Sequence, residues 1–109
     1  GLQQEELWVL LLNARNRYLG RNQLYRGSQD ATTVRVGEIF KEAVRKNVYA
    51  IALVHNHPSG NPKESAEDVN LTRAVIEAGN VLDIRLLDHV IIAGQDHTSI
   101  RRNHPELWA

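Results

Sequence analysis

With 109 residues and 42% hydrophobic composition, the chain can bury one core as a single domain and is too short for two. Thirteen Lys and Arg balance thirteen Asp and Glu, so no global charge points to nucleic acid or to an acidic membrane. Cysteine is absent, which excludes disulfides, thiolate chemistry and Cys-based zinc sites and leaves any metal to His and carboxylate.

No run of about 18 apolar residues occurs and no charged-then-apolar leader opens the chain, so a soluble, cytoplasmic protein is expected. Methionine is absent and residue 1 is Gly, which suggests residues 1–109 are a single domain from the C-terminal part of something longer. In chain order, Leu7 to Leu12 is a continuous apolar run that reads as a buried strand. Asn13 to Asn16 supply a turn, and a second strand runs from Arg17 past Gly20 to Tyr25 as its antiparallel partner. Gly27 to Asp30 reads as a loop. From Val36 to Asn47 the spacing of Ile39, Phe40, Ala43 and Val44 predicts a helix, with Glu38 in its first turn, where a carboxylate suits the dipole.

Tyr49 to Val54 is another buried-strand run, and it ends directly in His55. The Pro- and Gly-rich stretch from His57 to Pro62 is loop. A second helix starts near Ser65, with Leu71, Val75, Ala78 and Leu82 as its apolar stripe and Gly79 as a weak point or stop. Leu86-Leu87 and Val90 to Ala93 make a further strand, and a last short one runs from His97 to Ile100. The order β-β-α-β-α-β-β predicts an α/β fold, a mixed sheet with helices packed on it.

Residues two apart at a strand end point to one side, so His55 and His57 can face one point in a crevice beyond the sheet edge. Two imidazoles suit zinc, although such a pair also arises by chance. Ser65 and Asp68 share a helix face. Asp68 would complete a two-His, one-carboxylate set that leaves a fourth position for water, as in a catalytic zinc site. The alternative is a capping box, in which Ser65 caps the helix and Asp68 reaches back to the Ser65 backbone. Asp68 is not expected to cap and ligate at once. A metal hydrolase also needs a carboxylate to accept the water's proton, and local sequence does not single out Glu38 from Glu42 or Glu64 for that task.

Glu38, then His55-x-His57-Pro58, with seven residues between His57 and Ser65 and two more before Asp68, resembles the JAMM motif of MPN+ metalloproteases. The string His55-Asn56-His57-Pro58-Ser59-Gly60, with Glu38-Ile39-Phe40 upstream and Leu87-Asp88-His89 downstream, resembles the bacterial RadC branch. The likeness runs from Leu7 to Gly94. It implies a cytidine-deaminase-like (MPN) fold, one Zn2+ on His55, His57 and Asp68, Glu38 activating water, and Ser65 steadying the oxyanion. It also implies a larger protein with a DNA-binding segment upstream. Glu64 stands where such proteins commonly carry Pro, and Asn13 where Asp is common.

The expected activity is therefore a metallopeptidase or isopeptidase acting on a peptide or protein. The alternatives are a RadC-type DNA-repair factor, with this domain as nuclease or accessory module, and a non-catalytic MPN module, against which the intact ligand set argues. A nucleobase deaminase is excluded, because its zinc site needs Pro-Cys-x-x-Cys. Asn56 is expected to point away from the metal side and to fix its loop. His89 is expected to make a structural hydrogen bond, and His97 and His104 to lie at the surface. Arg15, Arg17, Arg21 and Arg26 read as a solvated face in a neutral chain, and the edge strand from Arg17 to Tyr25 allows a homodimer.

Overall fold

Alternation sets the sheet. In β1 (Glu5–Leu12), Leu7, Val9 and Leu11 are buried on one side, as the period of two in a strand demands. The computed structural model describes residues 4–27 and 34–109 and, within them, leaves out the Arg26 side chain. The loop expected at Gly27–Asp30 therefore falls outside the described residues from Ser28 onward.

Asn13 closes the first turn, its side chain accepting from the amides of Arg15 and Arg17. β2 (Tyr18–Gly27) then runs back antiparallel to β1, with irregular register near both ends. The helix α1 (Val36–Arg45) buries Ile39, Phe40 and Ala43 but leaves Val44 exposed, and it ends two residues before the expected Asn47.

β3 (Ala50–Asn56) pairs antiparallel with β1. The helix α2 (Ala66–Leu82) carries the chain back to β4 (Arg85–Ala93), which is parallel to β3. β4 is the single further strand expected from Leu86-Leu87 and Val90 to Ala93. β5 (Asp96–Ser99) is antiparallel to β4, and Ile100 leaves it because Ser99 caps the short helix α3 (Ile100–Asn103). The sheet order is β2-β1-β3-β4-β5, the mixed α/β arrangement expected.

Ile39, Phe40, Leu71 and Val75 of the two long helices share one core with Leu7, Val9, Leu11, Ile51 and Leu53 of the strands. Leu12, Ala50 and Ala52 form a smaller cluster. Gly79 is a point of close approach, since a Cβ there would sit 2.3 Å from the Ile84 carbonyl oxygen. The helix then ends at Asp83 in the left-handed region, so Leu82, in the last helical turn, is 44% exposed and outside the apolar stripe. Among the described residues, no helix is long and apolar enough to cross a membrane.

Two consequences bear on function. Because β1 opposes β3, its start lies beside the end of β3, where β4 also ends and α2 begins. The pairing of β3 with β4 is irregular between Ile51 and Leu53: Leu86 opposes Ile51 but His89 opposes Leu53. One extra residue in β4 therefore turns His89 onto the face of Leu53 and His55, as bulges do.

Candidate metal centre

His55 closes β3 on the helix-facing side and is 2% exposed. His57 sits just past the strand, and its backbone amide donates to the Ile92 carbonyl at 2.8 Å, which extends the β3–β4 pairing far enough to hold it. Asp68, one turn into α2, is 1% exposed. One ligand atom from each of these three residues lies within 4.8 Å of the others, and the two rings meet edge to face, with centroids 4.9 Å apart.

Asp68 both caps and faces the histidines. The Ser65 amide donates to Asp68 Oδ2 at 2.8 Å and the Asp68 amide to Ser65 Oγ at 3.0 Å, a complete capping box. Oδ2 also lies 3.1 Å from His57 Nε2, while Oδ1 lies 3.3 Å from His55 Nδ1. The cap leaves room for a ligand role that was expected to compete with it: a carboxylate has two oxygens and about four lone-pair directions, and the cap occupies one of them.

Proton bookkeeping tests whether these residues fit a cation. His57 Nδ1 is 3.1 Å from the Asn61 carbonyl oxygen, which can only accept, so Nδ1 carries the proton. In neutral His57 the bare Nε2 therefore faces Asp68 Oδ2. His55 Nε2 is 2.6 Å from Glu5 Oε1, another acceptor, and the buried His55 Nδ1 has only Asp68 Oδ1, at 3.3 Å, beside it among the described residues. With both rings neutral, lone pairs of the imidazoles and of Asp68 thus converge with too few protons between them. An added proton or a metal ion relieves this, and two imidazoles with one carboxylate are a zinc-type donor set. Burial alone would lower the His55 pKa, but Asp68 and Glu5 outweigh it and the ring is raised above its ordinary value. Burial would likewise raise Asp68, yet hydrogen bonds from His55 and Ser65 hold it well below the carboxylate range.

Glu5 was not singled out by sequence reasoning. It shares the parity of Leu7, and Leu7 pairs with His55, so its carboxylate falls on the histidine side. Asn56 faces the other way as expected, but the hydrogen bonds of its side chain go to the start of β1 and not to its own loop. Its side chain accepts from the Glu6 amide and donates to the Gln4 carbonyl, which grips the backbone on either side of Glu5. The only local signal was a carboxylate one alternation step before a buried strand residue.

Glu38 lies exposed in the first turn of α1, with no hydrogen bond or ion pair to His55, His57 or Asp68 among the described residues. Ser65 is exposed beside the cluster, its oxygen accepting from the Asp68 amide and its proton without an acceptor among the described residues.

His89 is fully buried, with Nδ1 2.8 Å from Thr72 Oγ1. Burial first, and then the neighbouring His55 and His57, push its pKa down to about 3. His97 is exposed, whereas His104 is half-buried beside Glu64 and Glu106, 3.6 Å from each. Arg15 and Arg17 are exposed and Arg21 stacks over Trp8 at 5.2 Å; the Arg26 side chain lies outside the described residues.

Residues 1–105 match the RadC-like JAB domain family. A UPF0758 protein of Chloroflexus aurantiacus is 49% identical over 100 residues, covering 92% of this chain and 44% of that protein. UPF0758 proteins of Clostridium beijerinckii and Desulforudis audaxviator are 43% and 41% identical, again over 92% and 90% of this chain and 44% and 43% of theirs. The chain spans less than half the length of these curated relatives.

Proposed function

Since the chain belongs to the family of RadC-like JAB domains, we propose that it is a zinc-dependent hydrolase of peptide or isopeptide amide bonds, with one ion held by His55, His57 and Asp68. One observation carries this reading: two imidazole nitrogens and a carboxylate oxygen of these residues converge within 4.8 Å of one another. A zinc ion in such a set supplies Lewis acidity and lowers the pKa of a water it binds from ~15.7 toward ~7.

The remaining work falls to the chain's own side chains. Glu5 accepts the proton of the attacking water and returns it to the departing amine. Its Oε1 lies against His55 and its side chain is 23% exposed, so water can reach it. Glu38, the carboxylate that the family spacing implies, is the rival. Ser65 keeps Asp68 in place through the capping box and donates its free proton to the oxyanion, a contribution of about 3 kcal/mol to the barrier.

Zinc analysis and a panel of fluorogenic peptide and isopeptide amides test this assignment. Glu5→Gln keeps near-stoichiometric zinc and loses hydrolysis by roughly 10²–10⁴-fold, whereas Glu38→Gln keeps both. The reverse pattern returns the proton transfer to Glu38. A His57→Ala protein holding as much zinc as wild type would sink the centre. DNA cleavage that survives Glu5→Gln and Glu38→Gln, with no amide cleaved by wild type, would favour the repair reading.

A further inference from the structure

Behind the metal corner runs a buried polar chain that the proposed reaction does not use. Thr72 follows Asp68 by one turn of α2 and is fully buried. Its hydroxyl donates to the Asp68 carbonyl at 2.8 Å. That spends its one proton, so the 2.8 Å contact with His89 Nδ1 is a bond in which the imidazole N–H donates to Thr72 Oγ1. The direction is fixed from end to end: His89 to Thr72 to the backbone of Asp68.

His89 is anchored in turn by the sheet. The extra residue in β4 is what turns it toward α2, and its ring lies 5.9 Å from that of His55. Apolar side chains of similar volume would fill this space without the cost of burying polar groups, and the His89 Nε2 has no hydrogen-bond partner among the described residues. Packing therefore does not account for the pair. The Ser65 capping box holds Asp68 from the N-terminal side, and Thr72 with His89 ties the same turn to β4.

We infer that Thr72 and His89 are positioning residues for Asp68, locking the first turns of α2 to β4 so that the carboxylate already faces His55 and His57 when a metal ion arrives. They touch neither ion nor substrate. The inference rests on the metal-centre reading, and its consequence is read in metal affinity, because partners that orient a ligand set affinity without binding the ion.

The test uses protein stripped with chelator, titrated with Co2+ and followed by its d–d absorption, with Zn2+ affinity from competition and melting of each metal-free form alongside. Thr72→Val keeps the shape and removes the hydroxyl; Thr72→Ser restores it. Zinc binding weakens roughly 10–100-fold in Thr72→Val with an altered Co2+ spectrum, and returns near wild type in Thr72→Ser. His89→Asn, which keeps a donor near the Nδ1 position, retains more affinity than His89→Leu. Wild-type zinc affinity in Thr72→Val, whatever its melting temperature, overturns the relay alone. A wild type that binds neither ion overturns the metal centre and the relay with it.

Discussion

Acidifying the metal-free protein probes the buried state of His89. In the unfolded chain its pKa is the ordinary ~6.5; in the fold, burial and the neighbouring histidines bring it to about 3. The unfolded state therefore takes up this proton first as pH falls. Stability from a neutral His89 is complete above pH 6.5 and drains away toward pH 3. At pH 4.5 the unfolded imidazole is fully protonated and the folded one is not, a difference of about two pKa units, or about 2.7 kcal/mol at about 1.36 kcal/mol per unit.

His55 works in the opposite sense. Its folded pKa is raised, so its contribution is present at low pH and lost as pH rises through that value. The net curve is thus compound, and the quantity to measure is the difference between wild type and His89→Asn, in which His55 is common. Urea unfolding at pH 7.5 and 4.5 in chelator supplies it. On acidification wild type loses about 2–3 kcal/mol more than His89→Asn. Parallel losses in the two proteins would refute the buried neutral imidazole.

Zinc at a hundredfold excess over its dissociation constant adds about 2.7 kcal/mol of stability, so wild type melts at higher temperature with zinc than in chelator. His57→Ala shows no such difference, and an equal rise in both would argue for adventitious binding. Gly79→Ala places a methyl 2.3 Å from the Ile84 carbonyl oxygen and lowers unfolding free energy by about 1–3 kcal/mol. A urea midpoint at or above wild type would mean that the α2–β4 connection yields freely.

Local pattern carried the strands and the helix starts. The apolar runs at Leu7 and Tyr49 gave β1 and β3, because strands buried in a core leave unbroken hydrophobic text. The His-x-His pair was legible for a related reason, since a strand's period of two is short-range information. What lay beyond local reading depended on register. Glu5 meets His55 only because β1 pairs with β3 at Leu7–His55, and His89 reaches Thr72 only because β4 carries an extra residue. Gly79 looked like a helix defect because the carbonyl it accommodates belongs to Ile84, beyond the helix end.

Asp68 shows why a cap and a ligand could be hard to separate by sequence and yet coexist. Oδ2 receives the Ser65 amide while Oδ1 is spent only against His55, so an ion could take an oxygen without dissolving the cap. The same turn favours the charge: exposed amides at a helix start stabilise an anion, and against the penalty of burial the bond from His55, with those from Ser65, keeps the Asp68 carboxyl ionised well below neutral pH. A ligand must be deprotonated before a metal binds, and ordering it afterwards costs affinity. The capping box orders Asp68 in the metal-free fold and, together with His55, keeps it ionised, so the helix start would help the corner take up an ion.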